Sequence, residues 1–272
     1  MINSVCLCLT FKCDLKCRHC FVAAGPERKE EMTLGQIALA IDNSAPDCDR
    51  MWFSGGEPTV VLDKLLYGLK YAKTLKDKTG FPRNICVQTN GNFAKTKEDA
   101  IRYLIQFFKC GANEIDITSN DVFHFEQMDK SIPSQLANLA NGMNLFDRVL
   151  IGGSDYKVVK RFGRAKTIPE KELEGFDMSY AHKCVLTESD LVIHPNGNVL
   201  PCIYGFDNVM GNIYDDNIRN ILDKYSKTEA YKVLREKDLC EFIGKWQENN
   251  AGVAATDICE ACNVFFKNLG RR

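Results

Sequence analysis

The chain has 272 residues, of which 45% are hydrophobic and 26% are charged, with 35 basic side chains against 36 acidic ones. This length allows one large α/β domain with a small appended one. The net charge near zero, without a basic run, argues against nucleic acid or an acidic membrane surface as a partner. The sequence shows no signal peptide and no apolar stretch of the ~20 residues that a membrane span needs, so we expect a cytoplasmic protein.

The thirteen cysteines indicate metal binding, because a reducing compartment keeps thiols unpaired. Five of them stand singly in apolar or mixed segments, where a free cysteine usually behaves as a small buried hydrophobe. We expect these five to be inert: Cys6, Cys8, Cys48, Cys86 and Cys110.

Alternating strands and helices are predicted between residues 4 and 160. Short apolar runs predict five strands: Val5–Thr10, Met51–Ser54, Ile85–Thr89, Glu114–Thr118 and Arg148–Ile151. Helical spacing of apolar residues follows the first four strands, and Thr33 and Thr96 are placed to cap the first and third helices. This alternation predicts a parallel sheet that binds ligands at the carboxyl edge, where the loops converge.

A motif of three cysteines follows the first predicted strand, with Cys13, Cys17 and Cys20 spaced as C-x3-C-x2-C. Three thiolates on one loop can hold three corners of a cubane iron–sulfur cluster and leave one iron open to a substrate or cofactor. The alternative is a tetrahedral zinc site in which His19 supplies the fourth ligand.

This motif, with His19 at the position that usually holds an aromatic residue, resembles the signature of radical S-adenosylmethionine (SAM) enzymes. The resemblance implies an α/β fold, a partial (β/α)6 TIM-like barrel. It also implies a [4Fe–4S] cluster whose open iron binds the amino and carboxylate groups of SAM. Reduction then releases a 5′-deoxyadenosyl radical, with the electron supplied by a reducing partner such as flavodoxin or ferredoxin.

Further matches to this family follow the later strands. Gly55-Gly56-Glu57-Pro58 resembles the family's GGE motif, which contacts the amino group of SAM, although a simple glycine turn is the alternative. Asn90 and Ser119 resemble residues that bind the ribose and carboxylate of SAM in relatives. The run after Ser119 lacks the glycine of the Ser-x-Asp-Gly pattern, which weakens the match at Asp121.

Arg164 lies in a Phe-Gly-Arg-Ala run that resembles a Gly-Arg-Ala turn of relatives with a second cluster. A solvated arginine on the surface is the alternative.

A second cysteine set lies near the C-terminus: Cys184, Cys202, Cys259 and Cys262. A Pro-Asn-Gly turn between Cys184 and Cys202 indicates a hairpin. The C-x12-G-x4-C opening and the later C-x2-C resemble the SPASM and Twitch extensions of radical SAM enzymes, which implies an auxiliary [4Fe–4S] cluster held by these four thiolates. With ten residues after Cys262, the one cluster of Twitch fits better than two. A structural zinc site is the alternative.

A change of pattern near Tyr180 predicts two domains, a radical SAM barrel over residues 1–179 and a cluster domain over residues 180–272. Cys240 is left over by this assignment. It is a candidate for an auxiliary-cluster ligand, for a hydrogen-atom donor to a substrate radical, or for an inert thiol in a helix.

These features predict a radical SAM oxidoreductase or maturase. Our leading expectation is oxidative modification or crosslinking of a ribosomally synthesised peptide, with the auxiliary cluster as electron acceptor. The closest alternative is a dehydrogenase or epimerase acting on an aminocyclitol or a sugar. A zinc-binding module without catalysis and an electron-transfer protein are more remote alternatives.

Overall fold

The computed structural model describes residues 2–152, 159–173, 190–235, 239–250 and 258–269. Within these ranges the strands form one sheet of eight. They are β1 (Ile2–Cys8), β2 (Cys48–Ser54), β3 (Asn84–Thr89), β4 (Glu114–Ile117), β5 (Arg148–Ile151), β6 (Asp190–Ile193), β7 (Asn198–Leu200) and β8 (Gly211–Asn212).

The helices of the described ranges are α1 (Leu34–Ser44), α2 (Leu62–Thr79), α3 (Lys97–Cys110), α4 (Val122–Phe125), α5 (Ile132–Met143), α6 (Ile218–Ser226), α7 (Glu229–Leu234), α8 (Leu239–Glu248) and α9 (Ile258–Leu269). Thr33 forms the predicted capping box with Gln36 at the start of α1. Thr96 caps α3 by accepting a hydrogen bond from the Asp99 amide. None of the described helices is long and apolar enough to cross a membrane.

The strands lie in the order β5-β4-β3-β2-β1-β6-β7-β8. Neighbours from β5 to β6 are parallel, while β7 and β8 add an antiparallel end to the sheet. Six parallel strands with helices between the first five confirm the predicted partial-barrel α/β fold. The first strand ends at Cys8 instead of at Thr10, because Thr10 already pairs with Glu31 in an isolated bridge.

The sixth parallel strand comes from late in the chain. β6 falls within the predicted second domain, yet it pairs in parallel with the free edge of β1, with Val5 opposite Leu191. The hairpin of β6 and β7, which the Pro-Asn-Gly turn predicts, is therefore an extension of the barrel sheet. The domain boundary at residue 180 stays a prediction.

The outer face of the sheet is apolar and is covered by helices. Its fully buried residues on β1 to β4 are Val5, Leu7, Met51, Phe53, Ile85, Val87, Ile115 and Ile117. Gly68 lets α2 approach this face, since a Cβ there would lie 2.7 Å from Phe53 Cε1. This layer is the largest hydrophobic core of the described residues.

Successive side chains of a strand point to opposite faces, so the residues that alternate with this apolar set lie on the inner face. Several of them are polar. Arg50 on β2 makes a bidentate ion pair with Glu114 on β4, with a closest N···O distance of 2.7 Å. Ser54 Oγ donates to Gln88 Oε1 at 2.6 Å, and Gln88 Nε2 donates to Asp116 Oδ2 at 2.9 Å. The inner face thus carries a hydrogen-bonded network where the outer face carries the core.

Candidate active site

Two glycines hold the cysteine loop against the carboxyl end of β2. The Gly56 amide donates to Thr10 O at 2.7 Å, and the Glu57 amide donates to Lys12 O at 2.9 Å. A Cβ on Gly55 would lie 2.3 Å from Thr10 O, and one on Gly56 would lie 2.3 Å from Lys12 O. Only glycine fits such a close backbone approach, so the Gly-Gly pair clamps the chain immediately before Cys13.

The three cysteines of the loop line one cavity of about 370 Å³. Cys13 and Cys17 are buried, and Cys20 is partly exposed. The Leu15 amide donates to Cys13 Sγ at 3.4 Å, and the Ala24 amide donates to Cys20 Sγ at 3.3 Å. Backbone N–H groups aimed at sulfur stabilise thiolate ligands, so the loop fits a bound iron–sulfur cluster.

Cys6 and Cys8 also line this cavity, from the inner face of β1. Their thiols are hydrogen-bonded to each other, and the bond from Cys6 together with burial raises the pKa of Cys8. Cys48, Cys86 and Cys110 are buried as expected. The alternation of strand residues predicts that Cys6 and Cys8 share the face of Ser4, opposite to Val5, but it also puts Cys86 on that face with Gln88, and Cys86 does not line the cavity.

Glu57 is fully buried, and its carboxylate accepts hydrogen bonds from other residues of the protein. Oε1 accepts hydrogen bonds from Thr59 and from Thr89 Oγ1, and Oε2 accepts from the Asn90 amide at 2.7 Å. Burial raises the pKa of Glu57 to about 7. Glu57 therefore ties the end of β2 to the end of β3, and Gly55 and Gly56, not Glu57 and Pro58, line the cavity.

Asn90 lines the cavity beside the cysteine loop. Its Nδ2 donates to Asp14 Oδ1 at 2.9 Å, and Asn92 Nδ2 donates to Asp14 Oδ2 at 2.6 Å. Ser119 is buried behind it and donates to Asn90 O at 2.5 Å. The structure thus places Asn90 at the cavity and Ser119 in a supporting position.

Arg164 contacts the backbone of the cysteine loop. Its Nε donates to Cys17 O at 2.9 Å, and its amide donates to Cys20 O at 3.1 Å. Gly163 has a φ of +53°, and a Cβ there would lie 2.5 Å from Cys20 O and from Phe21 O. The Gly-Arg-Ala turn is therefore a second clamp on the loop, and Arg164 lines the cavity.

His19 and His124 lie together on one wall of this cavity. Asp121 caps α4 by accepting from the backbone amides of Phe123 and His124, and its Oδ2 lies 2.6 Å from His124 Nδ1. Burial lowers the pKa of His19 to about 4. Burial also lowers the pKa of His124, but hydrogen bonds to Asp121 and Cys17 outweigh it and raise that pKa to about 9.

Sequence reasoning missed His124 as a site residue. Its signal is the Asp-x-x-His spacing, which places Asp121 and His124 on the same side of one helical turn.

The C-terminal cysteine region is held together by Asn263 on α9. Asn263 Nδ2 donates to Cys259 O at 2.9 Å and to Tyr204 O at 2.6 Å, so it joins α9 to the segment after Cys202. Burial raises the pKa of Tyr225, and the nearby thiols of Cys202 and Cys262 add to the effect. Cys202 and Cys262 thus both lie near one tyrosine.

Two predicted site residues of this region cannot be placed. Cys184 and the side chain of Cys240 lie outside the described part of the chain. Asn263 was not predicted, although it directly follows Cys262 in sequence.

Two family models match the chain. The radical SAM superfamily model matches residues 7–130, and the model of the SPASM iron–sulfur cluster-binding domain matches residues 184–263. No curated protein sequence matches the chain.

Several solved structures share the fold. BtrN in complex with AdoMet and 2-DOIA is 21% identical, with a TM-score of 0.57 and 90% of each chain covered. Streptococcus suis SuiB bound to precursor peptide SuiA is 16% identical, with a TM-score of 0.50, 87% of this chain covered and 67% of SuiB. Native anSMEcpe with bound AdoMet and Kp18Cys peptide is 13% identical, with a TM-score of 0.50 and coverage of 93% and 98%. The chain therefore belongs to the radical SAM superfamily, with SAM and a [4Fe–4S] cluster as cofactors, and carries a SPASM iron–sulfur cluster-binding domain.

Proposed function

We propose that the protein modifies a ribosomally synthesised peptide by oxidation or crosslinking. The main support for radical chemistry is that the cysteine loop lines one cavity together with Gly55, Gly56, Asn90 and Arg164. Cys13, Cys17 and Cys20 are the proposed ligands of the first cluster. When bound, the cluster and SAM supply a 5′-deoxyadenosyl radical that abstracts a hydrogen atom from the substrate.

The chain's own residues position the cofactor and exclude water. The exposed peptide groups of Gly55 and Gly56 are the proposed contacts for the amino group of SAM, with Glu57 and Pro58 holding their turn. Asn90 is a proposed polar contact for SAM, and Ser119 fixes its backbone by donating to Asn90 O. Arg164 places a guanidinium at the cavity wall and fixes the carbonyl of Cys17.

The aromatic lining of a second cavity supports a peptide substrate. A second cavity of about 460 Å³, lined in part by Phe11, Phe162 and Phe206, shares Phe21 and His194 with the first. Because the cluster and SAM take the first cavity, the second cavity is the room left for a substrate, and its aromatic side chains favour contacts with a peptide side chain over contacts with a hydroxyl-rich sugar. Two structures of the same fold, SuiB and anSMEcpe, hold peptides.

A small-molecule dehydrogenase or epimerase is the second candidate. The polar inner face, where Ser54 and Gln88 line the first cavity, offers hydrogen-bonding groups to a hydroxyl-rich molecule. BtrN, which shares the fold, is in complex with 2-DOIA.

The C-terminal region supplies the proposed auxiliary cluster. Its proposed ligands are Cys184, Cys202, Cys259 and Cys262, and a cluster held there would supply an acceptor for the electron that the substrate radical loses. The proposed division is a barrel over residues 1–179 and a cluster domain over residues 180–272, whose strand β6 adds the sixth parallel strand to the barrel sheet. Cys240 stays a candidate hydrogen-atom donor, and a flavodoxin or ferredoxin is the proposed reductant.

The first experiment counts iron. We expect about eight irons per chain after anaerobic reconstitution and about four in a Cys13/Cys17/Cys20→Ala variant, which also forms no 5′-deoxyadenosine from SAM. The matched control is Cys48→Ala/Cys110→Ala, which removes buried thiols away from the cavity and keeps the full iron content. Zinc in place of iron, in a colourless protein, would contradict the proposal and favour the zinc-binding module.

The second experiment separates the two substrate classes. The reconstituted enzyme is incubated with SAM, reductant and either a precursor peptide encoded beside its gene or an aminocyclitol. We expect a peptide product that has lost two hydrogen atoms for each modification, observed by mass spectrometry. Turnover of the aminocyclitol alone would favour the second candidate.

A further inference from the structure

Cys17, the second cysteine of the cysteine loop, lies close to two histidines, His19 and His124. Cys17 Sγ and one ring nitrogen from each of His19 and His124 lie within 4.8 Å of one another. Among the residues with described side chains, no other set of three cysteine, histidine or acidic side chains is placed to hold one metal ion.

His124 is oriented as metal-binding histidines are. Its Nδ1 lies 2.6 Å from Asp121 Oδ2, and Asp121 is fixed in turn by the amides of Phe123 and His124. A carboxylate on one ring nitrogen fixes the ring orientation and leaves the other nitrogen for a metal. Because the carboxylate takes Nδ1, His124 Nε2 is the nitrogen left for a ligand.

His19 is held in place by stacking. Its ring packs on Phe123 with centroids 4.8 Å apart and lies edge-on to His124 at 4.9 Å. His19 Nδ1 is buried and has no hydrogen-bond partner among the described residues. An unpaired buried nitrogen costs free energy, which a bound metal or a donor group would recover.

We infer that the cluster-free protein binds one Zn²⁺ ion through Cys17, His19 and His124, with Asp121 as the outer carboxylate. The donor set of one sulfur and two nitrogens suits zinc, whose ligand atoms in a tetrahedral site lie about 3.4–3.7 Å apart. Side-chain shifts of about 1 Å therefore close the group around the ion. The fourth position faces the cavity of about 370 Å³ and is open to an exchangeable ligand.

This zinc site and the iron–sulfur cluster exclude each other, because both use Cys17 Sγ. That exclusion rests on the proposed role of Cys17 as a cluster ligand, whereas the zinc site itself does not. Zinc bound before the cluster is loaded thus blocks assembly of the cluster that cleaves SAM. The site differs from the zinc alternative of the sequence, since His124 takes the place of Cys13 and Cys20.

The binding test uses the chelator-treated, reduced full chain in which Cys184, Cys202, Cys259 and Cys262 are replaced by alanine, so that the C-terminal thiols bind no metal, and Co²⁺ as a spectroscopic probe. We expect one Co²⁺ per chain with a thiolate charge-transfer band. His19→Ala and His124→Ala are expected to lose at least tenfold in affinity, and Asp121→Asn 10- to 100-fold. Cys13→Ser, Cys20→Ser and the matched histidine control His194→Ala keep the affinity of this parent chain. X-ray absorption of the zinc-loaded chain that lacks the four C-terminal cysteines, with the proposed site intact, is expected to show one sulfur and two imidazole nitrogens.

Loss of Co²⁺ binding in Cys13→Ser and Cys20→Ser with retention in His124→Ala would overturn the assignment, as would a first shell of three sulfurs. The competition test adds one equivalent of Zn²⁺ before reconstitution. In the chain that lacks the four C-terminal cysteines, we expect the iron content to fall from about four to near zero per chain, but not when His124→Ala is added. If the radical SAM assignment of Cys17 fails, only this second test changes, and the Co²⁺ result stands.

Discussion

The two faces of the barrel sheet are built from alternate residues of the same strands, yet they do different things. On β2, Met51 and Phe53 are fully buried against helices, while Arg50 and Ser54 join polar networks on the inner face. Alternate positions along the strand therefore belong either to the apolar core or to the polar groups of the inner face. Substitutions one residue apart are expected to act through different interactions.

The largest expected effect is on the iron content, from a substitution of Gly56, which lies after β2 and contacts the cysteine loop. Gly56→Ala places a Cβ 2.3 Å from Lys12 O, so the cysteine loop must move away from β2. We expect the variant to lose about four of about eight irons on reconstitution. Gly142→Ala is the matched control, because a Cβ there meets nothing within 4 Å. Full iron content in Gly56→Ala would show that the clamp is dispensable.

On the outer face, Phe53→Ala opens a cavity in the main core. We expect it to lower the free energy of unfolding by about 3–5 kcal/mol in chemical denaturation of the metal-free protein. The inner-face control, Gln88→Ala, removes hydrogen bonds from a partly exposed side chain and is expected to cost about 1 kcal/mol. Equal costs for the two variants would break the distinction between the faces.

The ion pair between Arg50 and Glu114 is expected to stabilise the fold because it neutralises the buried carboxylate of Glu114. Arg50→Met leaves the nearly inaccessible Glu114 carboxylate without its partner and is expected to cost about 3 kcal/mol of unfolding free energy. Arg50→Met/Glu114→Gln removes the charge as well and should recover most of this loss. A double variant as unstable as the single one would mean that packing by Arg50, and not charge, is what matters.

The smallest effect is a pH dependence from Glu57. Its pKa is raised to about 7 in the fold, so the folded state binds more protons than the unfolded state between about pH 5 and pH 7. Stability from this group is therefore lost as the pH rises through that window, by about 2 kcal/mol. Glu57→Gln removes the titrating group and should flatten this part of the curve, as measured by denaturation at a series of pH values. An unchanged slope would assign the dependence to another group.

Local patterns predicted most of the barrel. The five strands and the caps at Thr33 and Thr96 depend on apolar runs and short-range hydrogen bonds, which the sequence displays directly. The cysteine motif and the Gly-Gly-Glu run were likewise predictable, because their spacing is itself the signal.

The remaining features depend on partners far apart in the chain. The bond between Ser4 and Asp190 joins residues 186 positions apart, and no local pattern indicates that β6 pairs with β1. Nor does the sequence show that Arg164 reaches the carbonyl of Cys17, or that Asn263 joins α9 to Tyr204. Such contacts become visible only when the sheet order is known.

That sheet order has a consequence for biogenesis. β1, which leads into the cysteine loop, leaves the ribosome well before β6, near residue 190, which completes one of its edges. Until then β1 presents unpaired backbone groups on that side, an edge that invites pairing with other chains. Pairing at so large a sequence separation is also slow. The nascent protein thus depends on timely synthesis of β6 to bury the strand that leads into its cysteine loop.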